Sequence, residues 1–154
     1  MEQQIRVREE SPIEPRNRKL IADLDQLMIS LYPTESNHLM SPENLATGRN
    51  KFFVATIYSD VAGCGAMIVE NCEYSEVKRI YVVEAARNQG VAQSILSRLE
   101  AETKKLGLPA MKLETGTLQP DAIKLFEKVG FSKCAAFGQY SENDPYSYFM
   151  HKSL

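Results

Sequence analysis

The segment YVVEAARNQGVAQSILSRLEAE, from Tyr81 to Glu102, passes from a β-rich run into a helical pattern through a single glycine. Glycine in the first turn of a helix costs about 1 kcal/mol relative to alanine, and its usual position is past the helix end. A glycine at this entrance therefore indicates a need for bare backbone. Because a helix amino terminus has unpaired N–H groups and a partial positive charge, Arg87, Gly90 and Ala92 predict a site for phosphate or diphosphate.

The elements predicted around this junction place it in a mixed sheet. Alternating or β-rich runs predict strands, and apolar residues at helical spacing, with Pro and Gly at the ends, predict helices. The predicted strands are QIRVRE, KFFVATIY, AGCGAMIVENC, SEVKRIYVV, AMKLET, FSKCAAF and SYFMHK; the helices run from Pro15 to Pro33, over SPENLATG, from Val91 to Gly107 and from Pro120 to Gly130. This order predicts an α+β fold, with antiparallel pairing first and parallel pairing in the second half.

The length, charge and cysteine content of the chain restrict the classes of function that it can have. The 154 residues suffice for one domain, spanning residues 1–154, and a net charge of −2 argues against binding to nucleic acid or an anionic membrane. There is no apolar run of roughly 20 residues, and the polar start MEQQIRVREE does not resemble a signal peptide. Cys64, Cys72 and Cys134 lack a metal-binding spacing and indicate reduced thiols. We therefore expect a cytoplasmic protein without a metal.

The loop Arg87-Asn88-Gln89-Gly90-Val91-Ala92 resembles the diphosphate loop Q/R-x-x-G-x-G/A of the GNAT superfamily of acetyl-CoA-dependent N-acetyltransferases. Two flanking segments strengthen the resemblance: EVKRIYV is similar to the family's fourth strand, and PDAIKLFEKVGF to its A-x-x-L-Y-x-K-x-G-F segment. The resemblance is specific from Glu76 to about Phe131. LYPTESNHL and LETGTLQPDAIKLF are also similar to a group of small bacterial members, some of them labelled indole-acetate acetyltransferases.

The resemblance implies that acetyl-CoA lies between EVKRIYV and MKLET, where two parallel strands separate. Its pantetheine arm would pair with a strand backbone as an added strand does. Gln119 stands where the family often has an asparagine that bonds the cofactor. The cofactor residues implied are Ile80, Tyr81, Val82, Arg87, Asn88, Gln89, Gly90, Val91, Ala92, Gln93 and Gln119. Asn88 replaces a frequent glycine, and Glu84 a frequent proline, but neither removes the amides that would hold phosphate.

The implied reaction is attack of an amine on a thioester, which needs a base because an alkyl amine is largely protonated at neutral pH. Glu76, eleven positions before Arg87, has the spacing of the glutamate of histone-acetyltransferase-type members and is the first candidate. Glu114, one strand over, is the second. Either could instead be a surface-facing or salt-bridged strand residue, with Lys78, Arg79 or Lys112 as its partner. The backbone N–H of Val82 is the expected oxyanion donor.

The proton for the leaving thiolate usually comes from a tyrosine of the A-x-x-L-Y segment, and here that position is Phe126. Tyr81, Tyr140, Tyr146 and Tyr148 are the alternatives that the sequence leaves open. His38 and Tyr140 are candidate acceptor-binding residues, because they lie in segments that this fold uses to shape the acceptor pocket.

These expectations favour an N-acetyltransferase that acts on a primary amine of a small molecule, such as an amino acid or a related metabolite, without an acyl-enzyme. Three alternatives stay open: a weakly active acetyl-CoA-binding sensor or regulatory domain, an acetyltransferase for protein or peptide amines, and a non-enzymatic interaction domain on the same fold. The aromatic carboxyl-terminal strand is also a candidate surface for a homodimer.

Overall fold

A computed structural model describes residues 4–154, which form a mixed sheet with helices on both faces. The strands are β1 (Ile5–Glu9), β2 (Lys51–Ile57), β3 (Asp60–Ile68), β4 (Ser75–Val82), β5 (Ala110–Gly116), β6 (Ser132–Lys133) and β7 (Ser147–Ser153). The helices are α1 (Pro15–Leu31), α2 (Pro42–Leu45), α3 (Val91–Lys105) and α4 (Pro120–Lys128), with short 3-10 turns at Thr34–Ser36 and Glu84–Ala86.

The sheet has the strand order β1-β2-β3-β4-β5-β7-β6, and the predicted mixed fold is confirmed. The expectation of parallel pairing in the second half holds for one pair only. β4 and β5 are parallel because α3 carries the chain back between them. β7 is antiparallel to β5, since the loop after β6 returns the chain in the opposite direction.

The predicted strand FSKCAAF is wrong over most of its length. Only Ser132 and Lys133 pair with β7. Phe137 instead turns inward and is buried, with its ring 5.8 Å from that of Phe149 and 5.2 Å from that of Tyr140. Packing of these rings holds residues 134–146 as an irregular loop over the sheet.

The helices cover the sheet with two apolar clusters. Val91, Ile95 and Leu99 of α3 are buried against one face, as their spacing predicts. On the other face, Leu20 and Ile21 of α1 pack with strand residues and with Leu45 of α2. Within residues 4–154 there is no helix with the length and apolarity that a membrane crossing requires.

β4 and β5 separate after a short parallel stretch. They pair only from Ser75 with Met111 to Val77 with Leu113, although β4 continues to Val82. On the other side of β4, the register with β3 shifts by one residue, and Arg79 has a φ of +60°. A bulge of this kind bends a strand and increases its twist. Beside this bulge β4 and β5 are no longer paired, and the gap between the two strands is called the seam below.

Tyr32, the residue after the end of α1, packs closely against Gly116 beside this seam. A Cβ placed on Gly116 would lie 1.7 Å from the hydroxyl oxygen of Tyr32. That hydroxyl accepts a hydrogen bond from the Leu118 N–H (3.2 Å) and donates to Oε1 of Gln119 (3.1 Å). Gly116 therefore seats Tyr32 against the start of α4.

Replacing Gly116 with alanine should destabilise the protein. The backbone of Gly116 lies outside the left-handed region, so the expected loss of about 1–3 kcal/mol in free energy of unfolding comes from overpacking against Tyr32. Urea denaturation would measure it. In a Tyr32→Leu background, the same change should cost clearly less, because the shorter side chain leaves room. Equal costs in the two backgrounds would contradict this explanation.

Candidate active site

A groove of about 800 Å³ runs along the open edge of β4 to the start of α3. Leu24, Leu27 and Leu31 of α1 form one wall, and the first turns of α4 form another. Of the predicted cofactor residues, Ile80, Tyr81, Val82, Arg87, Asn88, Gly90, Val91, Ala92, Gln93 and Gln119 line this groove. Gln89 does not line it, and its side-chain amide donates to the carbonyl of Ala85 (3.2 Å).

The glycine at the entrance of α3 has a conformational role as well as a steric one. Gly90 is the N-cap residue, one position before the helix, with a φ of +84° in the left-handed region. Glycine adopts this conformation without strain, so the first-turn cost considered from the sequence does not arise. A Cβ on Gly90 would meet nothing closer than Oε1 of Gln93 at 4.0 Å. No side chain caps the helix, and its first amides lie open at the groove.

The backbone of Val82 faces the seam. The N–H of the next residue, Val83, donates to the carbonyl of Ala62 on β3 (2.9 Å). Because backbone groups of successive strand residues point to opposite edges, the N–H and C=O of Val82 point toward β5. The carbonyl accepts a hydrogen bond from Nε of Arg87 (3.2 Å), which agrees with this orientation.

A smaller cavity of about 160 Å³ lies where the seam opens between α1, β4, β5 and α4. Its apolar lining includes Val77, Ile80, Leu113 and Phe126. Its polar lining includes Tyr32, Ser36, Asn37, His38, Lys78, Glu114, Gln119 and Tyr146. The cavity and the groove share Leu24, Ile80, Gln119 and Ala122, so the two spaces adjoin.

Glu114 is the carboxyl group in the lining of this cavity. Burial raises its pKa to about 7. The charge of Lys78 and a hydrogen bond from Ser147 oppose this rise, whereas the charges of Glu76 and Asp144 add to it. A carboxyl with a pKa near neutrality can accept a proton and release it again at physiological pH.

Glu76 does not line the cavity, because its carboxylate is engaged beside it. The hydroxyl of Tyr140 donates to this carboxylate, and Nζ of Lys78 lies 3.5 Å away. The Glu76 side chain is 13% exposed. Burial, followed by the charge of Glu76, raises the pKa of Tyr140, so its hydroxyl stays protonated and acts as a donor. Glu76, Tyr140 and Lys78 thus form a closed network.

The two predicted acceptor-binding residues have different positions. His38 lines the cavity, with Nε2 3.8 Å from a carboxylate oxygen of Asp144. Tyr140 does not line it; its ring lies 4.9 Å from that of His38 and supports it from behind. Asp144 is also bound by the hydroxyl of Ser36 (3.0 Å), which ties the loop before β7 to the segment after α1.

The tyrosines proposed as proton donors are dispersed. Tyr146 lines the cavity and Tyr81 the groove. Tyr140 is held by Glu76, and the ring of Tyr148 lies 5.4 Å from Nζ of Lys133. Phe126 lines the cavity with a side chain that has no hydroxyl. The sequence analysis missed Tyr32, whose buried hydroxyl borders the cavity; its place at the end of an amphipathic helix gave no signal.

Arg79 was also missed as a site-forming residue. Its guanidinium, in a side chain only 5% exposed, pairs with Asp25 of α1 and donates to the carbonyl of Met40 (2.5 Å). The sequence analysis considered Arg79 only as a partner for the candidate glutamates. Strand alternation would place Arg79 on the face of the buried Val77, which packs with α3. The bulge instead turns the Arg79 side chain toward α1 on the other face, so alternation gave no usable signal.

Among residues 4–154, His, Cys, Asp and Glu side chains do not gather into a group of three that could hold a metal ion. The size of the groove and the open amides at Gly90 suit a long ligand with a diphosphate. The family model described as acetyltransferase (GNAT) family matches residues 20–131.

Two relatives with acyltransferase names match nearly the whole length of this chain. A protein of Azospirillum brasilense named IAA acetyltransferase is 40% identical over 151 residues, which cover 97% of this chain and 98% of the relative. A Klebsiella pneumoniae structure, provisionally named acyl-CoA N-acyltransferase, superposes with a TM-score of 0.82 at 27% identity and 98% coverage of both chains.

A GNAT family acetyltransferase from Elizabethkingia anophelis, solved with acetyl-CoA bound, shares the fold. Its TM-score is 0.70 at 18% identity, covering 97% of this chain and 98% of that one. The resemblance stated from the sequence is therefore confirmed. The chain belongs to the GNAT family and is an acetyl-CoA-dependent acetyltransferase.

Proposed function

We propose that the protein transfers the acetyl group of acetyl-CoA to a primary amine of a small molecule by direct attack, without an acyl-enzyme. The observation that carries this proposal is the position of Glu114. Its carboxyl, with a pKa of about 7, lines a small cavity that adjoins the groove at the opening between β4 and β5. Cofactor, acceptor and base can therefore meet at one place.

The groove residues would hold acetyl-CoA, which supplies an activated acetyl thioester. The open amides at the start of α3 and the guanidinium of Arg87 would bind its diphosphate. The backbone edge of Ile80, Tyr81 and Val82 would pair with the pantetheine arm. The Val82 N–H, which points toward the seam, would donate to the thioester carbonyl oxygen as charge develops there.

Glu114 would act as the general base, directly or through a water molecule. An alkyl amine with a pKa near 10 is almost wholly protonated at pH 7, which corresponds to a penalty of about 4 kcal/mol. A base with a pKa near the working pH removes such a proton efficiently. Glu76, the first candidate from the sequence, is the weaker one, because Tyr140 and Lys78 occupy its carboxylate.

The leaving group needs no acid at position 126. A thiol with a pKa of about 8.5 leaves readily as a thiolate, so Phe126 is compatible with turnover. The small volume of the cavity, about 160 Å³, favours a small acceptor, such as an amino acid or a related metabolite, over a protein or peptide amine. The single domain, the cytoplasmic location and the homodimer expected from the sequence stay predictions.

Acetyl-CoA should raise the melting temperature of the protein by several degrees when present at about 100 times its dissociation constant. Ala92→Glu should abolish this shift, because it places a negative charge beside the amides that would bind diphosphate. Ala101→Glu, the same change at an exposed position of α3, should retain it. A full shift in the Ala92→Glu variant would overturn the assignment of the groove.

An amine panel of amino acids, polyamines and a lysine peptide, assayed by release of free thiol, would identify the acceptor class. With the best acceptor, Glu114→Gln should lower kcat/KM about 100-fold at pH 7 and recover at high pH, where the amine is deprotonated. Glu76→Gln is the comparison at the other candidate base: it should lower kcat/KM at pH 7 far less than Glu114→Gln does, and it should move the acidic limb of the profile without abolishing it, because the charge of Glu76 acts on the pKa of Glu114. The opposite pattern would move the base to Glu76. Binding of acetyl-CoA without turnover of any amine would favour the sensor alternative.

Glu114 should also destabilise the folded protein at alkaline pH. Its pKa is about 7 in the fold against a reference value of 4.5, so its contribution to stability is lost as the pH rises through this range. Glu114→Gln should therefore exceed the wild type in free energy of unfolding by on the order of 1–3 kcal/mol at pH 8, and by much less at pH 5. Urea denaturation at both pH values tests this. A difference independent of pH would contradict it.

A further inference from the structure

We propose that Lys78 is a positioning residue that holds a fixed positive charge across the seam from Glu114 and so keeps the Glu114 carboxylate available as a base at neutral pH. This inference rests on the role proposed above for Glu114. It assigns a function to a network that the comparisons leave undescribed: Lys78 with Glu76, Tyr140 and the carbonyl of His38.

The strand register places the two side chains opposite one another. The last parallel partners are Val77 and Leu113, so Lys78 and Glu114 are the first residues after the strands separate. Strand alternation puts both on the same face of the sheet as Glu76. Both line the cavity. The ammonium and the carboxyl therefore face the space where an acceptor amine would lie.

Three acceptors from three segments fix the ammonium of Lys78. It donates to the hydroxyl of Tyr140 (2.8 Å) and to the carbonyl of His38 (3.3 Å), and it lies 3.5 Å from the Glu76 carboxylate. The side chain is only 17% exposed. A lysine held in this way is a fixed charge rather than a mobile surface one, and solvent screens it weakly.

The charges around Glu114 make this cation decisive. Glu76 and Asp144 raise the pKa of Glu114, in addition to burial, and Lys78 is the strongest opposing influence. The titratable and charged groups around Glu114 come from α1, the loop after it, β4, β5 and the loop before β7: Tyr32, His38, Glu76, Lys78, Arg79, Lys112, Tyr140, Asp144 and Tyr146. Loss of the Lys78 charge would leave Glu114 protonated to a higher pH.

Lys112 shows why the position of the charge matters. It precedes Glu114 by two residues on β5 and shares its face of the sheet. Its Nζ lies 4.9 Å from the ring centre of Tyr74 and 5.6 Å from that of Phe137, in an aromatic cluster outside the cavity. It therefore offers a matched control, a cation on the neighbouring strand that does not line the cavity.

The same network explains the state of Glu76. Its carboxylate accepts from Tyr140 and lies beside Lys78, so it holds both groups in place. Tyr140 donates to Glu76 and accepts from Lys78. In this arrangement Glu76, the first candidate base from the sequence, orients Lys78. Lys78 in turn lowers the pKa of Glu114 across the seam.

The test compares Lys78→Met with Lys112→Met and with the charge-conserving Lys78→Arg. In Lys78→Met, the acidic limb of the profile of kcat/KM against pH should move to higher pH. At pH values below the limb, kcat/KM should fall about tenfold for each pH unit by which the limb moves. Lys112→Met and Lys78→Arg should keep the limb near its wild-type position. An unmoved limb in Lys78→Met would overturn the inference. Lys78→Gln, which removes the charge but keeps a donor for Tyr140, serves if Lys78→Met fails to fold.

A carbon-13 NMR titration of the glutamate carboxyl groups separates this inference from the proposed function. The Glu114 signal, assigned by its loss in Glu114→Gln, should titrate at higher pH in Lys78→Met than in the wild type, without any substrate present. If it does so while Glu114→Gln retains full activity, the base assignment fails and the coupling stands. If the titration is unchanged while Glu114→Gln is inactive, the coupling fails and the base assignment stands.

Discussion

The ion pair between Arg79 and Asp25 is the contact on which the site depends. Arg79 occupies the left-handed region within the β4 bulge, a conformation that costs on the order of 1–3 kcal/mol for a residue with a side chain. Its guanidinium is held by α1 and by the segment before α2. The ion pair thereby ties α1 to β4 at the point where β4 leaves β5, so one buried arginine stabilises both the bulge and the wall beside the seam.

In the proposed function the seam would serve two ligands, because its two ends differ in chemistry. Toward α3 it presents backbone amides and Arg87, which suit a diphosphate. Toward the loop after α1 it presents the Glu114 carboxyl and the fixed ammonium of Lys78, which would suit the amine of the proposed reaction. Burial raises the pKa of Glu114 in the same place, so the fold contains a less stable charged group at the position of the proposed base.

The residues that line the groove at the start of α3 could be predicted from the sequence, whereas the different surroundings of the two candidate bases could not. The amides at Gly90 belong to one continuous strand–loop–helix segment, and a local pattern is enough to identify them. Glu114 and Glu76 look alike in sequence, since both are glutamates in β-rich runs. Their difference comes from Tyr140 and Lys78, which reach Glu76 from a distant loop and from its own strand. Packing between distant segments therefore determines which of the two carboxylates is bound by neighbouring side chains and which faces the cavity.

The sequence by itself determined the order of strands and helices, the glycine entrance of α3 and the absence of a hydroxyl at position 126, because each is a property of neighbouring residues. The tertiary structure decided the rest: the left-handed bulge at Arg79, the contact between Gly116 and Tyr32, the irregular loop over residues 134–146 and the raised pKa of Glu114. Each of these arises when segments far apart in the chain exclude water from one another, and no local pattern records which segments will meet.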